Sequence, residues 1–231
     1  MKKVNELIKL PGVKTIFDLF NNNQGIYLVG GCIRDTLSGK DITDIDFAVD
    51  INPEEVVKIL TNNNIKFYDI GINYGTVTTV IDSKNYEITS LREDIETDGR
   101  HAKVKYTSDI KADSLRRDFT INAIYANQDG ELFDFHNGIE DIENRKLKFI
   151  GSANDRVKED YLRILRYFRF YADFSNFEID ANLKKVFKEG SKNFSKISKE
   201  RIWSELKKII NQKNSVKSLS MMNEINILTD I

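Results

Sequence analysis

The chain has 231 residues, 40% of them hydrophobic and 31% charged, with a formal net charge of −1. That is room for one large domain or two modest ones. The composition excludes a helical membrane span, because no run of about 18 apolar residues occurs. The single cysteine, Cys32, excludes a disulfide framework and a cysteine-based zinc site and suits a reducing cytosol. With so small a net charge, a nucleic-acid partner would be gripped by local basic patches rather than drawn in by the field of the whole molecule.

The amphipathic opening MKKVNELIKLPGVKTIFDLF lacks the apolar stretch and small-residue cleavage site of a targeting peptide and reads as an ordinary helix. Short β-rich runs follow at 25–30, 45–49, 76–81, 85–90 and 102–106, with helical patterns at 31–37, 53–62 and 114–124 between or after them. From about residue 153 the strands stop. Helical spacing marks 155–172, 180–189 and 199–211, broken by Gly190 and polar clusters. The expected organisation is an α/β head over residues 1–150 and an all-helical continuation over 151–231.

Four stretches carry chemistry. In LVGGCIRD, residues 28–35, an apolar strand runs into two glycines and then a helix start. Gly30 and Gly31 allow close backbone approach, free N–H groups at a helix start suit a phosphate, and Arg34 adds a charge-assisted contact. Taken alone, a bare strand-to-helix turn accounts for these residues equally well. In TDIDF, residues 43–47, strand alternation puts Asp44 and Asp46 on one face, with Ile45 and Phe47 toward the core. Two adjacent carboxylates repel unless a cation lies between them, and an all-oxygen ligand set favours Mg²⁺.

The third stretch is SLRRDFTINA, residues 114–123. It reads either as a solvated helix start or as a second arginine for phosphates or sugar, held by Asp118, with Asn122 near a ribose. The fourth is KEDYLRILRYFRF, residues 158–170. On a continuous helix Tyr161, Ile164, Leu165, Phe168 and Tyr171 form an apolar stripe. Asp160, Arg163, Arg166 and Arg169 fall off it, with Asp160 and Arg163 neighbours at i, i+3.

LVGGCIRD, TDIDFAV, YEITSLRED with TDGRHA, RRDFTINAIY, EDYLRILRYFRF and ISKERIWSELKKI stand in the order and at the spacings of the class II tRNA nucleotidyltransferases, the CCA-adding enzymes, and the chain resembles that family over roughly residues 25–210. The phrasing is most similar to the alphaproteobacterial and mitochondrial branch.

The resemblance implies a five-stranded nucleotidyltransferase head with a helical neck and body, acting on the tRNA 3′ end with CTP, ATP and Mg²⁺ in the cytoplasm. Asp44 and Asp46 would hold the metal, with Glu87 a third carboxylate. Gly30, Gly31, Arg34 and Arg117 would hold the nucleotide. Asp160 and Arg163 would read the base, supported by Arg166 and Arg169. Residues 91–102 would be the loop used in switching from C to A, with Arg92, Glu93, Asp94 and Arg100 its charged members.

The base-reading pair also stands on its own chemistry. Cytosine and adenine both offer an amino donor beside a ring-nitrogen acceptor, which a carboxylate and a guanidinium match, and uracil and guanine reverse that pattern. Family members continue well past the position of Ile231 with a tail that grips the tRNA elbow, so binding of the acceptor end is expected to rest on the basic neck. The open alternatives are addition of CC or A alone, a bacterial poly(A) polymerase, and an inactive RNA-binding remnant.

Overall fold

The computed structural model describes residues 2–20, 25–97, 102–174 and 178–231. The elements, in chain order, are α1 (Lys2–Ile8), α2 (Pro11–Leu19), β1 (Ile26–Val29), α3 (Gly31–Ser38), β2 (Ile45–Val49), α4 (Pro53–Asn62), β3 (Phe67–Tyr68), β4 (Thr76–Ile81), β5 (Lys84–Ser90), β6 (Arg92–Thr97), β7 (Ala102–Tyr106), α5 (Ile110–Leu115), β8 (Ile124–Ala126), β9 (Leu132–Asp134), α6 (Gly138–Glu143), α7 (Ala153–Glu159), α8 (Leu162–Phe174), α9 (Ala181–Ser191), α10 (Lys199–Ile210) and α11 (Ser215–Glu224). They gather into two compact units, Met1–Ile95 with Val104–Ile139, and Glu96–Lys103 with Glu140–Ile231.

The first unit is built on a seven-stranded mixed sheet of order β3-β4-β5-β2-β1-β8-β9, in which β2 and β5 run parallel and the other pairs antiparallel. Four of the five expected strands lie in it, and the fifth, residues 102–106, is β7 outside it. The three added members β3, β8 and β9 are only two or three residues long, too short for alternation to show in sequence. β6 and β7 pair separately as a two-stranded ribbon.

Local chemistry sets several helix starts and stops. Asn52 caps α4 by accepting from the Glu55 N–H at 2.9 Å, Pro53 follows in the first turn, and Gly39 ends α3 with φ 71°. The amphipathic opening is two helices, not one, because Pro11 cannot continue α1 but suits the first turn of α2. Phe17 and Phe47 meet edge-on at 5.4 Å and join the helices' apolar sides to the sheet.

The helix expected over 114–124 is corrected more deeply. α5 ends at Leu115, residues 120–122 form one 3₁₀ turn, and Ile124–Ala126 are strand β8, fully buried beside β1. Burial between strands overrode a weak helical spacing.

The second unit is helical in its described part after Glu140, and α8 is its centre. Phe168 lies 5.5 Å from Phe187 of α9, Tyr167 stacks on Phe149, and the Ser218 hydroxyl of α11 donates to the Phe168 carbonyl at 2.7 Å. Gly190 belongs to α9, and a Cβ there would come within 2.7 Å of Val157 and 2.8 Å of Ile164, so the helices approach closely at that point.

The expected continuous helix over 155–172 is two. α7 stops at Glu159, Asp160 takes extended angles (φ −150°, ψ 106°), and α8 starts at Leu162. Asp160 accepts from the Leu162 N–H at 3.1 Å, so a short carboxylate competes with the backbone and caps a new helix. Leu162 and Phe170, on the nominally polar half, are both buried.

Candidate nucleotide and metal site

In the first unit β1 ends at Gly30, whose φ of 77° and ψ of −127° make it the cap of α3. A Cβ there would meet nothing closer than 3.6 Å, so the backbone angle and not crowding demands glycine. Those nearest atoms are Arg117 Nη1 at 3.6 Å, the Asn122 carbonyl at 3.9 Å and Asp46 Oδ2 at 4.0 Å. A guanidinium and a carboxylate thus both border the turn.

Strand register explains the meeting. Glu87, Asp46, Val29 and Tyr125 pair in one row across β5, β2, β1 and β8. Directly paired residues project to the same face of a sheet, so Asp46 and Glu87 stand side by side. Asp44 lies exposed one residue before β2, its carboxylate accepting from Thr43 at 3.1 Å. Burial, then Glu87 and Asp44, push Asp46 up to about 6, against the lowering pull of Arg117 and Arg34.

That is a place with excess negative charge, which a divalent cation would relieve. Among the described residues no group of three or more His, Cys, Asp or Glu side chains forms a ready cage. Two or three carboxylates that leave the other positions to water and phosphate oxygens are what Mg²⁺ takes.

Each arginine is held from behind. Arg34 makes a bidentate pair with Asp35 at 2.9 and 2.8 Å and donates to Asn122 Oδ1 at 2.6 Å. The sequence reading placed Asn122 near a ribose; here it orients Arg34, and its own amide donates to Asp118 at 3.1 Å. Arg117 was expected to be held by Asp118, and instead its Nε and Nη2 bond Asp113 Oδ2 at 3.2 and 3.1 Å and Nε also bonds the Tyr125 hydroxyl at 2.9 Å. Asp113 is fully buried and accepts from Arg116 Nε at 2.9 Å and from the Arg92 N–H at 3.1 Å as well.

Burial alone would raise the Asp113 pKa, but Arg117, Arg116, Tyr125 and the Arg92 N–H outweigh it and hold the group at about 2. Sequence reasoning missed Asp113. Its spacing of three and four residues before Arg116 and Arg117 was the available signal. Tyr125, eight residues beyond Arg117, closes the stretch RRDFTINAIY, but no spacing there links it to Arg117.

Of the loop residues, Arg92, Glu93 and Asp94 open β6. The Arg92 guanidinium bonds the Tyr74 carbonyl and lies 3.9 Å from Asp94, while Glu93 is exposed. Burial, then Arg116, lower Arg92 to about 10. Arg100 lies outside the described residues.

In the second unit Asp160 and Arg163 are not neighbours on one helix. Asp160 pairs with Arg201 of α10 at 2.8 Å. Arg163 Nη1 pairs with Glu159 and donates to the Arg156 carbonyl at 2.9 Å. Arg169 pairs with the buried Glu205 at 3.1 Å and its guanidinium lies 4.4 Å from the Phe170 ring centre. Arg166 is partly buried.

A strand ending in a glycine turn beside in-register carboxylates, with two anchored arginines, offers places for phosphates and for a divalent cation. The chain belongs to the family described as the poly(A) polymerase head domain, matched by residues 26–148, and residues 176–231 match a second family, the probable RNA and SrmB-binding site of polymerase A.

Its relatives include the mitochondrial CCA tRNA nucleotidyltransferase 1 of Danio rerio, 39% identical over 226 residues that make up 96% of this chain and 52% of that one. The Homo sapiens protein of the same name is 43% identical over 203 residues, 86% and 47% of the two chains. The chain thus spans about half the length of the curated relatives it matches. Among solved structures, the Bacillus stearothermophilus CCA-adding enzyme in complex with CTP superposes with a TM-score of 0.81 at 29% identity, over 93% of this chain and 52% of the other. No helix of the described residues is long and apolar enough to cross a membrane.

Proposed function

We propose that this chain is the catalytic part of a CCA tRNA nucleotidyltransferase, adding C and A residues to the tRNA 3′ end from CTP and ATP without a nucleic-acid template and releasing pyrophosphate. The observation that carries the reading is the Gly30 turn, with Asp46 Oδ2 and Arg117 Nη1 both within about 4 Å of where a Cβ on Gly30 would lie and Glu87 paired beside Asp46. The relatives' printed names agree with it. Residues 1–150 serve as the catalytic head and 151–231 as the helical neck and the start of the body. The buried cysteine fits a reducing compartment, the cytoplasm in this reading.

Each group then has a task. Gly30 and Gly31 let the backbone approach the triphosphate, and Arg34 and Arg117 hold its phosphates with their anchored guanidinium groups. Asp44 and Asp46 hold Mg²⁺, with Glu87 as the third carboxylate. Held there by Asp44 and Asp46, a divalent cation would lower the pKa of the attacking hydroxyl and offset the charge of the leaving pyrophosphate. The reaction joins the tRNA 3′ oxygen to the α-phosphorus as the bond to pyrophosphate breaks.

Asp160 accepts from the amino group of C or A and Arg163 donates to the ring nitrogen. Arg201 and Glu159 hold the pair, and Arg166 and Arg169 support it. Each wrong base loses roughly 1–3 kcal/mol per mismatched polar contact. Residues 91–102, with Arg92, Glu93, Asp94 and Arg100, form the loop that accompanies the change from C to A.

The test is incubation with Mg²⁺, labelled CTP or ATP, and tRNA ending at the discriminator base, with product length read on a gel. Growth by C, C and then A is expected. Addition of CC alone, of A alone or of a long A tract assigns the corresponding narrower activity. No incorporation of either nucleotide overturns the reading.

A further inference from the structure

Tyr125 closes the stretch RRDFTINAIY but has no task in the site as described so far, yet its hydroxyl is used twice. It donates to Asp113 Oδ2 at 2.7 Å and accepts from Arg117 Nε at 2.9 Å. The same carboxylate oxygen accepts from Arg117 Nε and Nη2, so phenol, carboxylate and guanidinium close a ring of hydrogen bonds. The Tyr125 ring also lies under the guanidinium, its centre 5.1 Å from Cζ. These bonds use the Nε and Nη2 edge of Arg117, and the remaining nitrogen, Nη1, is the one near the Gly30 turn.

The sheet gives this ring its place. Tyr125 pairs with Val29, the residue before Gly30, and Val29 pairs with Asp46. The tyrosine therefore stands on the same sheet face as the carboxylate, one strand beyond the turn. A phenylalanine would fill the same volume and keep the ring under the guanidinium. What it would lose is the hydroxyl, with its bonds to Arg117 Nε and to Asp113 Oδ2, the carboxylate oxygen that also holds Arg117.

We infer that Tyr125 is a positioning residue for Arg117: it holds the guanidinium over the Gly30 turn so that an incoming triphosphate meets a preset cation on the face that carries Asp46. The inference rests on the nucleotidyltransferase reading above.

The test is a double-mutant cycle of Tyr125→Phe and Arg117→Ala. Equilibrium CTP binding without tRNA, single-turnover CTP incorporation and a melting curve are measured for each variant. Tyr125→Phe is expected to weaken CTP binding roughly tenfold, as a lost bond to a charged group does, while the rate at saturating CTP stays within about threefold of wild type. In the Arg117→Ala background the second change is expected to weaken binding no further, because the group being positioned is gone. If Tyr125→Phe melts below the assay temperature, all variants are measured below its melting point, where the same pattern is expected.

A loss that adds fully to that of Arg117→Ala, or unchanged CTP affinity in the single variant, overturns the inference and leaves the nucleotidyltransferase reading intact. A wild-type chain that neither binds nor incorporates CTP overturns both.

Discussion

At the scale of single residues, the site trades stability for chemistry. Asp46 is partly buried beside Glu87 and Asp44, and its pKa rises from an ordinary 3.8 to about 6. A carboxylate whose folded pKa is raised is a stability cost that appears as pH climbs from about 3.8 through about 6 and is fully present above that. Asp46→Asn removes the charge and keeps the shape. Without divalent metal at pH 7 the variant is expected to be more stable than wild type by about 2 kcal/mol, while nucleotide transfer in Mg²⁺ falls by roughly two orders of magnitude or more. Thermal melting and a labelled-CTP assay read the two arms, and transfer near the wild-type rate would remove Asp46 from the metal site.

Asp160 offers a second residue-level test. Its carboxylate is held by Arg201 and the Leu162 N–H, so its orientation is set and lone pairs remain for a base. Asp160→Ala is expected to admit UTP and GTP, lowering the CTP-to-UTP incorporation ratio by about tenfold. Single-turnover use of all four nucleotides measures it. An unchanged ratio with a lowered melting temperature would make the residue a helix cap and ion-pair partner and nothing more.

At the scale of elements, Asp113 ties three of them together: its own helix α5, strand β8 through Tyr125, and the start of β6 through the Arg92 N–H. The carboxylate is held at about 2, below its ordinary 3.8. Because the folded pKa is depressed, the stabilisation is fully present above about pH 4 and is lost as pH falls through the range from 3.8 toward 2. Its size is roughly 2 kcal/mol. Melting curves of wild type and Asp113→Asn from pH 7 down to about 2.5 are expected to converge as pH falls. A gap that stays constant across that range would mean that shape, not charge, does the joining.

At the scale of the whole chain, a net charge of −1 hides an uneven distribution. Residues 140–231 carry 19 basic against 14 acidic side chains, and residues 1–139 carry 16 against 22. RNA binding is therefore expected to lie mainly in the helical part and to depend on salt, with log affinity falling by about 0.9 per neutralised phosphate for each tenfold rise in salt. A filter-binding titration with whole tRNA and with an acceptor minihelix over a range of salt is expected to give modest slopes and affinities within about tenfold of each other. Preference for whole tRNA by orders of magnitude would place the main contacts away from the acceptor end.

The sequence by itself determined the class of protein. Turn chemistry at Gly30 and strand alternation over residues 45–49 act within a few residues, so they are legible without a fold, although Asp44 itself lies just ahead of the strand, and the helices expected over 31–37 and 53–62 were legible for the same reason. The tertiary structure alone decided what sits beside those residues. Glu87 stands next to Asp46 only because β2 and β5 pair in parallel across 41 residues of chain. Tyr125 reaches Arg117 only because residues 124–126 complete the sheet rather than a helix.

The break at Asp160 was hidden because apolar period continues through it, while a single side-chain bond to the Leu162 N–H and a partner on α10 end the helix there. Pairing register, burial and ion partners are non-local, and their energies exceed the few tenths of a kcal/mol by which local propensity favours one conformation over another.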